Sequence, residues 1–381
     1  MNRIERTLFD GAPAQFRESI ARFLAREAVP RHDDWERQGC VDRDIWLAAA
    51  AHGFLCTGLP GEYGGADADL RYGVVLIEEL ARAGMSGLWG WVVHSDVVAP
   101  YLLRYGTESA KRAYLPAMAR GERIGAFAVT EPGAGSDLQG MTSTALRGDG
   151  GFVLRGAKTF ITNGTHGDFA VVAARTAPEK GAKGVSLLVV DAASAGFTKG
   201  RRLEKTGLFA QDTAELFFDE VFVPEANLLG EPGEGFRYLM RGLPWERMQA
   251  AVYSIAAAEV ALEATVRYTK ERKAFGKTLF DLQNPRFTLA ALATEVQIGR
   301  VFVDRCIELL LDDRLDGAAA SMAKYWCSEL QFKALDACVQ LHGGYGYMRE
   351  FPVARAWADA ALMRLAGGSN EVMKELIARG L

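Results

Sequence analysis

Thr130-Glu131-Pro132-Gly133-Ala134-Gly135-Ser136-Asp137 is followed, thirty residues on, by Phe160-Ile161-Thr162-Asn163-Gly164. The first string is a glycine-rich loop directly after the strand-like run Phe127-Ala128-Val129. The second ends an apolar run on Asn-Gly, which is hairpin-turn chemistry. Both sit just past a change of pattern. Upstream of about Gly125 the apolar residues recur at spacings of three and four; from there to about Leu229 they fall in short runs rich in Val, Phe, Ile and Thr, broken by Gly, Asp and Asn. Residues 151–154, 169–173, 185–190 and 214–218 read as strands of a small antiparallel β domain, with Gly148-Asp149-Gly150-Gly151 as a further turn.

Working outward, the flanks are helical. Toward the N-terminus, residues 16–24, 45–52 and 72–83 carry amphipathic spacing, separated by the turn-rich loop Gly58-Leu59-Pro60-Gly61-Glu62-Tyr63-Gly64-Gly65. Toward the C-terminus the helical period returns at Gly235, with long helices expected over 250–272, 287–311 and 318–341. Helices of that length stack as a bundle and favour self-association. The layout is α, then β, then α, an α+β chain with domains expected at 1–122, 123–232 and 233–381.

Composition narrows the function. The 381 residues are 49% hydrophobic and 24% charged, ordinary for a globular chain, and a net charge of −4 gives no electrostatic case for nucleic acid or an anionic membrane. No apolar run approaches the ~18–20 residues of a membrane span. The start, Met1-Asn2-Arg3-Ile4-Glu5-Arg6, lacks a secretory apolar stretch and carries an acid that transit peptides avoid, so a cytoplasmic location is expected. Five scattered cysteines (40, 56, 306, 327, 338) include no C-x-x-C pair and are read as reduced; five histidines show no ligand spacing, and no metal is expected.

The two opening strings, together with Gly367-Gly368-Ser369-Asn370-Glu371, resemble the acyl-CoA dehydrogenase family in motif, order and spacing over nearly the whole chain. The resemblance implies an N-terminal α-helical domain, a middle antiparallel β domain and a C-terminal α-helical bundle, usually as a homotetramer binding FAD. It implies a reaction of fatty acid metabolism: α,β-dehydrogenation of an acyl-CoA thioester, with electrons passed to an electron-transfer flavoprotein. A flavin needs a flat apolar wall and close backbone approach, which Phe127, Val129, Thr130 and the glycine loop supply. By the resemblance Phe127, Val129 and Thr130 face the flavin, Gly135 and Ser136 line its phosphate side with Ser136 also near the acyl-CoA, and Phe160 and Thr162 flank the ring. Many relatives carry tryptophan where this chain has Phe160. Ser369 and Glu371 fall on the family's flavin-side positions.

Two clusters fit the adenine end. Glu271-Arg272-Lys273-Ala274-Phe275-Gly276-Lys277, followed by Gln283, offers a cationic fork and a stacking face; read in isolation it is a charged helix end. Gln340-Leu341-His342-Gly343-Gly344-Tyr345-Gly346-Tyr347 offers bare backbone N–H groups at Gly343 and Gly344; read in isolation it is a helix cap and turn. In the family both reach the flavin of a neighbouring subunit.

Abstracting the α-proton of a thioester needs a positioned carboxylate of raised pKa. In most of the family it is a glutamate in a C-terminal string, but the corresponding position here is Gly367, and Glu371 lies four residues too late. The long-chain and isovaleryl branches place the base in an E-R dipeptide on a helix of the last domain. Here that is Glu246-Arg247, within Leu243-Pro244-Trp245-Glu246-Arg247-Met248, and Gly367 leaves space for it. Without that pairing, Glu246 would read as an acid in the first turn of a helix opened by Pro244. Arg247 and Gly368 are expected on the substrate side, Arg247 otherwise being a structural or solvated cation. The backbone N–H of Gly367 is expected to hold the thioester carbonyl. Trp89 and Trp91 would shorten an acyl cavity if they face it and are otherwise core; His94 reads as a satisfied core or subunit-contact histidine. Ala366, where relatives carry an aromatic, enlarges the site. A same-fold flavin oxidase or monooxygenase, or a dehydrogenase of carrier-protein-bound acyl groups, remains open on the sequence.

Overall fold

The computed structural model describes residues 4–381; residues 1–3, part of the start from which a leader-free N-terminus is expected, lie outside the described residues. The chain opens with helices α1 (Ala12–Phe23), α2 (His32–Gln38), α3 (Asp44–Ala51), α4 (Arg71–Ala83), α5 (Trp89–Val93), α6 (Ala99–Tyr105) and α7 (Glu108–Ala119). A π-wound turn, His94–Val98, joins α5 to α6. Strands β1 (Gly125–Ala128), β2 (Thr144–Gly148), β3 (Gly151–Thr162), β4 (Phe169–Arg175), β5 (Val185–Asp191), β6 (Phe197–Arg202), β7 (Thr213–Pro224) and β8 (Leu228–Leu229) follow. The last part is α8 (Gly235–Glu271), a small hairpin of β9 (Lys273–Ala274) and β10 (Lys277–Thr278), then α9 (Gln283–Leu311), α10 (Gly317–His342), α11 (Pro352–Met363) and α12 (Asn370–Ala378).

The sheet runs in the order β6-β7-β3-β2-β4-β5-β8, with β1 added against β4. Pairing is antiparallel as expected except for β1 with β4 and the single pair Thr144–Arg175 between β2 and β4, which are parallel. The β2–β3 hairpin intervenes between β1 and β4, so the chain re-enters the sheet in its first direction. Burial explains the unbroken apolar runs of β4 and β5. Phe169, Val171 and Ala173 enter the main core shared with the helices, whereas Ala170, Val172 and Ala174 enter a second core inside the curved sheet. A strand covered on both faces loses the polar alternation of a half-exposed one.

The expected start of the long C-terminal helix is corrected. Helix α8 begins at Gly235 and runs through Pro244, so Pro244 does not open it. Proline removes the hydrogen bond to the carbonyl four residues earlier, at Met240, yet the helix continues to Glu271. The acid-in-first-turn reading of Glu246 falls with this: Glu246 lies three turns into the helix, beyond the reach of the N-terminal dipole.

A buried ion network ties the first helices to the last. Glu78, fully buried on α4, accepts from Arg6 at 2.8 Å, Arg17 at 2.7 Å and Arg300 of α9 at 2.7 Å. Arg300 also forks onto Glu259 of α8 at 2.8 and 2.9 Å, and Arg6 onto Asp304 at 2.7 Å. Burial works against ionising Glu78, yet the three guanidiniums hold it well below the usual carboxylate range. Among the described residues no helix is long and apolar enough to cross a membrane.

Candidate active site

The opening loop is fastened from beneath by a buried ion pair. Lys158 of β3 donates to Glu131 at 2.7 Å and to the Val129 carbonyl at 3.1 Å. The same carboxylate accepts from the Thr142 amide and hydroxyl at 2.6 and 2.8 Å and from the Ser143 amide at 3.0 Å. Burial disfavours its charge, but Lys158 and these donors bring Glu131 down to about 2. Above this anchor the loop is open. Gly135 and Ser136 are exposed, and a Cβ built at Gly133 or Gly135 would meet no atom of the described residues within 4 Å.

Phe160 is placed by a ladder defect. The β3–β7 register breaks between Lys158 and Ile161, and Phe160 takes a left-handed φ of 60° with its ring 68% exposed. A non-glycine residue held there costs about 1–3 kcal/mol and persists only where surrounding structure enforces it. Thr162, half-buried, accepts a 2.7 Å hydrogen bond from Gln211. The exposed ring, Thr162, Thr130 and half-buried Phe127 and Val129 thus cluster on one end of the sheet.

Glu246 meets this cluster through Tyr101, a residue without any distinguishing sequence signal. The Tyr101 hydroxyl donates to Glu246 Oε1 at 3.1 Å, and its ring lies 4.8 Å from that of Phe127 at 38°. The contact joins residues 145 apart in sequence. The Glu246 carboxyl is buried, while the residue as a whole is half-buried. Burial pushes it up to about 7, against the Tyr101 hydrogen bond and the charge of Arg247. The π-wound turn sets the helix: the Asp96 carbonyl within it accepts from Trp245 Nε1 and Gln249 Nε2, each at 3.1 Å, one helical turn apart on either side of Glu246. A π turn frees carbonyls in this way.

Arg247 is buried, which removes the solvated reading. It donates to Ser321 Oγ at 3.3 Å, and its Nε has no hydrogen-bond partner among the described residues. One turn along α10, buried Lys324 donates to the carbonyls of Arg364 (3.2 Å) and Gly368 (2.7 Å) and to Asn370 Oδ1 (2.9 Å). Burial and the Arg247 charge bring Lys324 down to about 8. One face of α10 therefore holds both Arg247 and the loop carrying Gly367. Gly367 has φ 67° and Gly368 93°, conformations that favour glycine, and a Cβ at 367 would meet nothing. Ser369 caps α12, accepting from the Val372 amide at 3.4 Å. Glu371 is exposed in the first turn of α12, without the burial a raised pKa needs.

The two distal clusters come together. The Arg272 guanidinium lies 5.6 Å from the centre of the Tyr345 ring, and Tyr268 stacks on His342 at 4.2 Å. Gly343 has φ 61°, and neither it nor Gly344 would meet an atom through a Cβ. Phe275, at φ 53° and 93% exposed, tips the β9–β10 hairpin; Gln283 and Gln340 are exposed. Trp91 is core, packed on Trp46, whereas half-buried Trp89 meets Tyr253 of α8 edge-on at 5.3 Å. His94 is a core histidine: Nε2 lies 3.1 Å from the Met118 carbonyl and Nδ1 accepts from the Gly125 amide at 3.1 Å. The sequence reading missed Tyr101, Lys324, Gln211 and the Lys158–Glu131 pair; only Lys158, a lysine inside an apolar strand, carries a visible sequence signal.

Comparison with known proteins agrees over the full length. Family models for the acyl-CoA dehydrogenase N-terminal, middle and C-terminal domains match residues 12–122, 126–221 and 233–381. The chain is 46% identical to a long-chain specific acyl-CoA dehydrogenase, mitochondrial, of Sus scrofa, covering 98% of this chain and 87% of the relative. An acyl-CoA dehydrogenase of Bacillus subtilis is 36% identical over 96% of each. A crystal structure of acyl-CoA dehydrogenase from Geobacillus kaustophilus superposes with a TM-score of 0.95 at 45% identity, covering 100% of this chain and 99% of that one. The chain belongs to the acyl-CoA dehydrogenase family of FAD-dependent oxidoreductases.

Proposed function

We propose that this chain dehydrogenates an acyl-CoA thioester between Cα and Cβ to the trans-2-enoyl-CoA, with Glu246 as the base, working as a cytoplasmic homotetramer that passes its electrons to an electron-transfer flavoprotein. The observation that carries the reading is Glu246 itself: a buried carboxyl that Tyr101 ties to the Phe127 end of the sheet, raised by burial to about 7, while position 367 is a glycine. A general base works best with a pKa near the operating pH.

The residues fit FAD. A Cβ at Gly133, Gly135, Gly343 or Gly344 would meet no protein atom, so these backbones are bare where a ligand could approach. Phe127, Val129, Thr130, Gly135, Ser136, Phe160 and Thr162 would hold the ring and ribityl side, with Ser369 and Glu371 nearby. Arg272, Phe275, Gln283, Gln340, Gly343 and Gly344 would hold the adenine end from a second copy, a role that 93%-exposed Phe275 suits. When bound, FAD supplies the acceptor for the hydride leaving Cβ. Glu246 takes the α-proton. Ser136, Arg247 and Gly368 line the substrate, and the Gly367 amide donates to the thioester oxygen as enolate charge grows there.

The test is the visible spectrum of the purified protein under anaerobic conditions, titrated with acyl-CoAs. The long-chain specific relative makes a long acyl chain the first to try. The expected result is a bound-flavin spectrum that bleaches with particular esters, and a Glu246→Gln variant that keeps flavin but turns over at least ~10²-fold more slowly. A flavin that no ester bleaches removes the acyl-CoA; unchanged turnover in Glu246→Gln removes the base.

A further inference from the structure

We propose that Tyr101 is a positioning residue for Glu246, and that Gly242 is glycine so that the Tyr101 hydroxyl can reach the carboxylate. The inference rests on the reading of Glu246 as the base. Among the described residues the Tyr101 O–H is the only hydrogen-bond donor to that carboxylate, at 3.1 Å. Its ring is seated between the Phe127 ring at 4.8 Å and the Tyr105 ring at 6.1 Å, so its direction is fixed from the flavin-side strand. Tyr105 in turn stacks on Tyr238 of α8 at 3.9 Å.

Gly242 lies one turn before Glu246 on α8. A Cβ there would stand 2.3 Å from the Tyr101 hydroxyl and 2.9 Å from Glu246 Oε1. Neither distance is tolerable, so any other residue would drive the phenol and carboxylate apart. Glycine in the body of a helix is unfavourable relative to alanine, and the phenol explains its presence at this position.

The phenol has a second acceptor in reach, the Tyr238 carbonyl at 3.5 Å. While Glu246 is ionised, the single phenolic proton goes to the closer, charged acceptor. Once Glu246 has taken the α-proton it becomes a donor, and the phenol can turn to the Tyr238 carbonyl. The hydroxyl thereby aims the carboxylate before proton transfer and leaves no acceptor unmet after it. Glu246 faces Arg247 on its own helix, and Tyr101 faces Arg104 and Tyr105 on α6. The Asp96 carboxyl, raised by burial to about 7, faces Gly73 of α4, 2.7 Å from where a Cβ would stand there. Phe127 brings no charge from β1.

The experiment measures kcat and kcat/KM against pH for the FAD-loaded enzyme with an acyl-CoA that bleaches it, in wild type, Tyr101→Phe, Gly242→Ala and Glu246→Gln. Losing a hydrogen bond to an ionised group raises a carboxyl's pKa, so in Tyr101→Phe the acid limb should move up by about one pH unit, with kcat near neutrality down about tenfold. Gly242→Ala keeps every hydrogen-bonding group and should shift the limb the same way. A role in packing alone would lower thermal stability and leave the limb in place. An acid limb unmoved in either variant that retains wild-type flavin content overturns the proposal. If Tyr101→Phe fails to bind flavin, Gly242→Ala decides the matter alone, a shift supporting the proposal and an unmoved limb overturning it. Wild-type turnover in Glu246→Gln would instead remove the base itself, a separate result.

Discussion

At the scale of single residues, burial sets the chemistry. His94 shows this in a group outside the reaction. Fully buried, with Nδ1 accepting from the Gly125 amide, it is neutral with its proton on Nε2, and burial brings its pKa from 6.5 down to about 4. The unfolded chain therefore binds more protons than the native one between those values. Stability is fully present above about pH 6.5 and is lost as the pH falls through 4, by roughly 3 kcal/mol for this group. Urea melts at pH 7.5 and 4.5 should show a smaller loss in His94→Gln than in wild type; an equal loss would mean that another group dominates. Because His94 holds the first amide of β1, its protonation would loosen the strand that carries Phe127. The proposal of Glu246 as the base starts in the sequence from a substitution elsewhere, the glycine at 367. Tyr101 was not legible there, because its meaning lies in a contact 145 residues away, and nothing local distinguishes it from a core tyrosine.

Elements position these residues by departing from ideal geometry in a few places. The π-wound turn frees the Asp96 carbonyl for Trp245 and Gln249, the break in the β3–β7 ladder turns out Phe160, and Pro244 sits inside α8. Periodicity revealed the regular helices and strands around them, but none of these departures. A π turn has no pattern of its own, and Pro244, which would ordinarily end a helix, is carried inside a 37-residue one. The Gly367 loop is held by a different device, the three acceptors of Lys324. In Lys324→Met the Arg364 carbonyl and Asn370 Oδ1 keep donors in the Asn370 amide and Ser328, but the Gly368 carbonyl loses Lys324, at about 1–3 kcal/mol for a group left unsatisfied. The expected outcome is a lower melting temperature, and hydrogen exchange in residues 364–370 that speeds up more than in α10. Uniform exchange across both would show that the loop is held by something else.

For the whole molecule, the α-β-α order was readable from composition alone, while the joints between the parts were not. The joint at Glu78 unites α4, α8, α9 and the first residues of the chain, and each partner taken singly looks like a surface charge. Arg300→Met would remove the fork on Glu259 and leave Glu78 with two of its three guanidiniums. Breaking a buried pair in this way costs about 3–5 kcal/mol. Chemical denaturation should show that loss, and Arg300→Lys should not restore it, because an ammonium lacks the rigid planar fork that grips Glu259 through two nitrogens while a third reaches Glu78. Denaturation like wild type would mean that the helices cohere through apolar packing alone.

The same joint has a consequence for how the chain is made. Glu78 leaves the ribosome with Arg6 and Arg17 already synthesised, but Arg300 follows 222 residues later. At about 5–20 residues per second that is an interval of roughly ten to forty-five seconds. Throughout it the α4 face meant for α8 and α9 stays uncovered, with its carboxylate short of one cation. The first helices of the nascent chain thus depend for their completion on a segment not yet translated, and in this interval the cell's chaperones have most to protect.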